Sequence, residues 1–363
     1  MRIAYISNSF SKGGAASGNN SVIKILEDLG YSVDRYEFSS IFWHQKPFRS
    51  IFLWPIILFY YVIGKAFNEK LSSTFGFFDY EDFQKYDVIF LGHLSNSIVN
   101  ISSFVGKENV FWRHSDLWAK LKIGHYKDPI WCFGKTNLIK EKLFSSTKNI
   151  FPSIWIKKEL NAHNVIPYLI FRNFADSVVC SEELDQHFTT PVLGFSAASL
   201  GDKRKGFKHF CHLANMCVSQ FSYIAAGRGS VRMPNNITHL SHLNKTEMQE
   251  FYKSIDIIFI LSSVDNSPNV LVEALSNGVF PIVIPGSGAA ELLTEAFGQN
   301  ANGKTYLYYN PSDDSVDGLK RYILANCSRL RDERLERMLQ FEKFRTETIT
   351  DQSNVLKKML EAL

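Results

Sequence analysis

The stretch that decides the fold is Ile257-Ile-Phe-Ile-Leu261, followed by Asp265-Asn-Ser-Pro-Asn-Val-Leu-Val-Glu273-Ala-Leu-Ser-Asn-Gly278-Val-Phe-Pro281-Ile-Val-Ile-Pro-Gly286-Ser-Gly288-Ala-Ala-Glu291. Five consecutive apolar residues predict a buried strand. Asn266 or Ser267 can cap a helix, and Leu271, Ala274 and Leu275 recur at helical spacing. Gly278 stands where a helix takes its left-handed stop. Phe280-Pro-Ile-Val-Ile284 is a second apolar strand. Strand, short helix and strand make a βαβ unit of a parallel sheet. Asp265 and Glu273 are eight positions apart, one before the helix and one inside it. The Gly-Ser-Gly turn brings Glu291 to the same sheet edge, and in such sheets ligands sit outside the carboxyl ends of the strands.

The 363 residues suffice for a large core and two domains. Hydrophobic residues make up 45% and charged residues 21%, which excludes a disordered chain. The net charge of +4 is too small to imply a nucleic-acid partner. Five scattered cysteines without a Cys-x-x-Cys pair read as reduced thiols of a cytoplasmic protein. The opening Met-Arg-Ile-Ala-Tyr-Ile-Ser is a strand and carries no leader-type apolar region. The most apolar run, residues 51–63, has 13 residues, short of the roughly 20 that span a bilayer. It reads either as a core helix with an early proline or as an aromatic surface, rimmed by Lys46, Arg49 and Lys65, that rests on a membrane.

The first strand leads into a polar loop with Lys12-Gly13-Gly14-Ala15-Ala16, then a helix with Val22, Ile25, Leu26 and Leu29 on one face. A Gly-Gly turn lets backbone approach a ligand and leaves N–H groups at a helix start for an anion. It is not a Gly-x-Gly-x-x-Gly fingerprint. Asp87-Val-Ile-Phe-Leu-Gly-His93 and Asn109-Val-Phe-Trp-Arg-His114-Ser-Asp116-Leu-Trp118 are strands that end in histidines. Residues 165–171 close the first set of strands, and 172–190 read as a linker. The second domain opens on a strand from Pro191 and the basic loop Lys203-Arg204-Lys205-Gly206. Three cations before a glycine suit a diphosphate. Residues 316–338 and 351–363 read as helices.

Together these motifs resemble the retaining glycosyltransferases of family 4: Gly-Gly-Ala, His-Ser-Asp-x-Trp, Arg-Lys-Gly-Phe, and Asp-Asn-x-Pro-Asn with Glu273 after it. The resemblance implies an α/β chain of the GT-B fold, two Rossmann-like domains with parallel sheets facing across a cleft. It implies domains at 1–185 and 186–340, with 341–363 returning to the first. The implied reaction moves a sugar from a UDP- or GDP-sugar to a glycan or lipid-linked acceptor, as in bacterial surface polysaccharide synthesis. His114, Asp265 and Lys205 would serve the chemistry. Gly13, Gly14, Arg204, Lys205, His242, Asn269, Val270 and Glu273 would hold the donor.

No Asp-x-Asp occurs, so protein cations are expected in place of a metal, and no cofactor is expected. Family members often act on lipid-linked acceptors, which bears on residues 44–65 as a peripheral contact with the inner membrane. The first acid is Asp265 where the family usually has Glu. Ser199 stands where many members carry an arginine, leaving Arg204 or Lys203 as the second charge. A nucleotide-sugar epimerase or hydrolase of similar fold, a phosphorylase-like enzyme and a non-catalytic binding protein are the competing readings.

Overall fold

In the computed structural model, residues 1–11, 13–37, 55, 78–94, 98–119, 138–162, 168–174, 190–229, 231–262 and 264–363 are described. The apolar run 51–63, its basic rim, Cys132 and Cys180 fall outside them, apart from Pro55. Among the described residues no helix is long and apolar enough to cross a membrane. The chain divides into two compact units, Met1–Asn173 with Ile349–Leu363, and Phe174–Thr348.

The first unit contains β1 (Arg2–Ser7), α1 (Gly13–Asp28), β2 (Ser32–Glu37), β3 (Val88–Leu91), β4 (Val110–Arg113), α2 (Leu138–Ser146), β5 (Lys148–Phe151), α3 (Ile154–Glu159) and β6 (Tyr168–Ile170). Its six strands lie in the order β2-β1-β3-β4-β5-β6, every pair parallel. Parallel strands are covered on both faces, so they read as unbroken apolar runs. The period of two then sorts each strand between two cores. Ile3, Tyr5, Val88, Phe90 and Phe111 pack with Val22, Ile23 and Leu26 of α1. Ala4, Ile6, Ile89, Leu91, Val110 and Trp112 face the opposite cluster.

The second unit runs β7 (Val192–Ser199), α4 (Phe207–Met216), β8 (Ser222–Arg228), β9 (Ile237–Leu240), α5 (Lys245–Lys253), β10 (Ile257–Ile260), α6 (Asn269–Ser276), β11 (Phe280–Val283), α7 (Gly288–Phe297), β12 (Leu307–Tyr308) and α8 (Val316–Asp332). Its sheet order is β12-β11-β10-β7-β8-β9, again parallel throughout. The deciding stretch is thus the strand, helix and strand its pattern predicts, with β10 paired to both β7 and β11.

Two local readings change. Pro268, not Asn266 or Ser267, is the N-cap of α6, and no side chain caps it. The preceding backbone is already engaged, since Gly288 donates its N–H to the Asp265 carbonyl at 3.1 Å. Asn266 and Ser267 are each 7% exposed. The last helix, α9 (Arg334–Glu361), is continuous where two pieces were expected. No glycine or proline interrupts residues 334–363, and Arg, Lys, Glu, Gln and Leu are good helix formers. α9 begins in the second unit and ends in the first, where Leu356 and Leu360 join the α1 side of the core.

The start of α9 is tied to the second unit by buried arginines. Arg334 donates to the carbonyls of Asn277 (2.9 Å), Ile255 (2.9 Å) and Tyr252 (2.7 Å). Arg337 donates to those of Gly278 (2.9 Å) and Leu330 (2.7 Å), and burial pulls its pKa down to about 10. These guanidinium groups satisfy carbonyls left over where α5, α6 and α8 end. Gly278 has φ 66°, and a Cβ there would run into the Arg334 carbonyl.

Candidate functional site

The second unit gathers most of the expected residues at the carboxyl end of β10. After β7 the chain makes a single 3-10 turn, Lys203–Lys205, which Asp202 caps by accepting from the Arg204 N–H at 3.1 Å. Gly206 closes the turn at φ 77°. A Cβ at this position would collide with the Leu261 carbonyl, so glycine lets the turn lie against the end of β10. That contact delivers Lys205 to the loop after β10, where its Nζ donates to Asp265 Oδ2. Asp265 is 8% exposed. The lysine side chain is 34% exposed, so the pair adds little to stability; its effect is a fixed positive charge beside a nearly buried carboxylate.

Asn269 begins α6, and Glu273 lies four residues on, so the two share a helix face with Val270 beside them. The first N–H groups of a helix have no intrahelical acceptor, and the macrodipole favours an anion there. Glu273 is held by Tyr252, whose hydroxyl donates to Oε2 at 2.7 Å. Burial pushes the Glu273 pKa up, while the Tyr252 hydrogen bond and the charge of Lys245 pull it down. Glu291 sits in the first turn of α7, which Ser287 caps by accepting from the Ala290 N–H at 3.2 Å.

Arg204 is committed elsewhere. Its Nε and Nη2 bond Asp202 at 3.0 and 2.6 Å, so this cation is held within its own loop. His242 lies exposed after β9. The unit also offers groups that the motifs did not flag. Ser262 Oγ and Asn269 Oδ1 are buried side-chain oxygens with no hydrogen-bond partner among the described residues. Both flank the Asp265 loop. Tyr252 is 1% exposed and has no motif around it. For Ser262 a signal existed, because it follows directly on the carboxyl end of β10.

Gly13, Gly14 and His114 belong to the first unit. Gly13 starts α1 with φ 84°, and Gly13 and Gly14 are exposed. His114 follows β4 and is 3% exposed. Asn149 donates both amide hydrogens, to Phe144 O at 2.9 Å and Thr147 O at 2.8 Å. Its Oδ1 is therefore the acceptor in the 2.7 Å contact with His114 Nε2, which places the imidazole proton on Nε2 and leaves Nδ1 as an acceptor. Phe151 stacks on the ring at 5.0 Å, Trp112 tilts against it at 4.5 Å, and burial lowers its pKa to about 4. His114 is a neutral hydrogen-bonding group at neutral pH, not a cation. Asp116 lies 3.4 Å from His93 Nδ1 and accepts from the Trp118 N–H at 2.9 Å. His93, His114, Asp116 and Trp118 line one small pocket.

Beside it, Arg113 is 1% exposed. It bonds only neutral oxygens among the described residues, Asn19 Oδ1 and Ser115 Oγ at 3.1 Å each and Asn173 Oδ1. A Cβ on Gly18 would occupy the space of its guanidinium. Among the described residues no group of three or more His, Cys, Asp or Glu side chains could hold a metal ion.

Residues 228–337, all within the second unit, match the family model described as glycosyl transferases group 1. No curated protein matches the chain. Among solved structures, the chain is similar to a sucrose-phosphate synthase from Thermosynechococcus elongatus, with TM-score 0.65, 12% identity and 100% of both chains covered. It is also similar to an alpha-glucosyltransferase in complex with UDP and a 13-mer DNA, with TM-score 0.56, 12% identity, and 96% of this chain and 99% of that one covered. A Thermobaculum terrenum O-GlcNAc transferase mutant gives TM-score 0.55 and 12% identity, over 99% of this chain and 67% of that one. At such identity the likeness speaks for the fold: two six-stranded parallel sheets with helices and a helical C-terminal end, the GT-B architecture of these transferases.

Proposed function

We propose that the chain is a nucleotide-sugar glycosyltransferase. The observation that carries this reading is the Lys205–Asp265 pair at the carboxyl end of β10, next to the α6 face that bears Asn269, Val270 and Glu273. A nucleotide-sugar leaves a diphosphate behind, and the charge that develops on it needs fixed positive partners. Lys205 supplies a full charge and the start of α6 supplies oriented N–H groups. Glu273, an acceptor of hydrogen bonds when ionised, suits the hydroxyls of the nucleotide ribose. Asp265 would approach the sugar ring. The group 1 match over residues 228–337 supports the same assignment.

In the first unit, Gly13, Gly14 and His114 would meet the transferred group, His114 through Nδ1 as a neutral imidazole. We read the reaction as retaining and independent of metal, with the leaving phosphate oxygen taking the proton of the acceptor hydroxyl. The acceptor is a glycan or lipid-linked saccharide, reached from the cytoplasm. No covalent nucleophile is required, and Asp265 has a supporting role.

A thermal-shift screen against UDP-, GDP- and ADP-sugars tests the reading. A donor at 100-fold over its dissociation constant adds about 2.7 kcal/mol of stability. Lys205→Ala and Glu273→Gln should each abolish the shift while the protein stays folded. Transfer should survive EDTA and give the donor's anomeric configuration. Silence with every donor, or full activity in both variants, would sink the assignment.

A further inference from the structure

The carboxylate of Glu273 is oriented from outside its own helix. Tyr252 is in the last full turn of α5, and its hydroxyl donates to Glu273 Oε2 at 2.7 Å. The backbone of Tyr252 is fixed as well, because its carbonyl accepts from Arg334 Nη2 at 2.7 Å. The same guanidinium holds the Asn277 carbonyl at 2.9 Å, and the Asn277 side-chain amide donates to the Glu273 carbonyl at 2.8 Å. Tyr252 and Glu273 are therefore joined twice, through their side chains and through Arg334 and Asn277. A fully buried tyrosine ring needs no hydroxyl to pack, and the hydroxyl is retained where it finds a partner. Here the partner is the one acid that lies on the ligand face of α6.

We propose that Tyr252 is a positioning residue for Glu273: its hydroxyl anchors Oε2, so that the carboxylate turns Oε1 toward the hydroxyls of a bound nucleotide ribose. This rests on the transferase reading given above. The side chain has few rotamers left once one oxygen is pinned, so less freedom is lost when the ligand binds. The charged groups that face Glu273 are consistent with the role. From α5 they are Tyr252 and Lys245; Arg334 reaches from α9 to the backbone of Tyr252; on the sheet face opposite the α4 and α8 core, β10 and β11 carry Ile258, Ile260, Pro281 and Val283, all apolar. Burial favours the protonated acid, and the Tyr252 hydroxyl and Lys245 oppose that. Without the hydroxyl the acid holds its proton to a higher pH.

The test is Tyr252→Phe in the full chain, which keeps the ring and removes one oxygen. A hydrogen bond to a charged group is expected to be worth tenfold or more. The donor KM should therefore rise about tenfold or more, with kcat changed less, and the acid limb of kcat/KM should move to higher pH. A ligand-free readout accompanies it: in protein carrying 13C-labelled glutamate, the Glu273 carboxyl resonance, identified by its absence in Glu273→Gln, should titrate at higher pH in Tyr252→Phe. An unchanged KM and an unchanged titration midpoint would show that Tyr252 only fills the core, and would overturn the proposal. Failure of the wild type to bind any nucleotide-sugar would instead overturn the transferase reading, and the ligand-free titration would still decide whether Tyr252 sets the state of Glu273.

Discussion

Replacing Arg334 with methionine removes the donors of three carbonyls at once, those of Tyr252, Ile255 and Asn277. The methionine refills most of the volume, so cavity formation is a minor part of the effect. What remains is a set of buried carbonyls without donors. Each hydrogen bond to a charged group contributes about 1.5–3 kcal/mol, while burying the guanidinium itself costs several kcal/mol. Methionine does not bear that cost, which offsets part of the loss. Each buried carbonyl left without a donor costs about 1–3 kcal/mol, so the three together take a large share of the roughly 5–15 kcal/mol that holds a protein folded.

The assay can locate the damage. All six tryptophans precede residue 174, so tryptophan fluorescence reports the first unit, while far-UV circular dichroism reports both. In urea, Arg334→Met should lower the midpoint of the circular-dichroism transition and split it from the fluorescence transition. Arg334→Lys should recover only part of the loss, since an ammonium is a point donor and cannot serve three divergent carbonyls. A loss below about 1 kcal/mol by linear extrapolation, or one that both signals report equally, would refute the view that this arginine staples the second unit.

Three further outcomes follow from the same geometry. Gly206→Ala forces a residue with a Cβ to adopt φ 77° against the Leu261 carbonyl; positive φ costs about 1–2 kcal/mol, and displacement of the turn should separate Lys205 from Asp265, measured as lost nucleotide-sugar binding with a modest drop in Tm. His114 is buried with its pKa lowered to about 4 from 6.5, so the unfolded chain takes up its proton first: stability present above pH 6.5 should decline as pH falls toward 4, by about 3 kcal/mol at most. His114→Asn should flatten that stretch of the urea-midpoint profile. Gly18→Ala places a methyl where the Arg113 guanidinium lies and should destabilise the first unit by about 1–3 kcal/mol, as overpacking does, read by tryptophan fluorescence.

Much of the frame is visible in the residues because parallel strands buried on both faces leave apolar runs, as in Val88–Leu91 and Ile257–Ile260. Gly206 and Gly278 also announce themselves, each occupying a positive φ that other residues avoid. The pairing of Lys205 with Asp265 follows once β10 is known to lie beside β7. Other features obey shorter-range or longer-range rules that a pattern does not carry. Arg204 reads as a free cation, yet an aspartate two positions earlier captures it in a bidentate bond. Arg334 and Arg337 carry no motif, yet they are 8% and 2% exposed because α6 ends beneath them with carbonyls to satisfy. Tyr252 gains its meaning only from α5 lying against α6. His93 and Asp116 are 23 positions apart and meet because β3 and β4 are neighbours, a juxtaposition that the parallel order makes available in hindsight.

The route of α9 has a consequence for how this chain becomes folded. The first unit is made of two pieces, Met1–Asn173 and Ile349–Leu363, and Leu356 and Leu360 of the later piece are 0% and 1% exposed inside its core. A nascent chain completes residues 1–173 early but cannot close that core until the entire second unit has been synthesised. The second unit is uninterrupted in sequence and can mature first. The first unit therefore finishes after the second, carrying an open apolar face over α1 and β1 in the meantime.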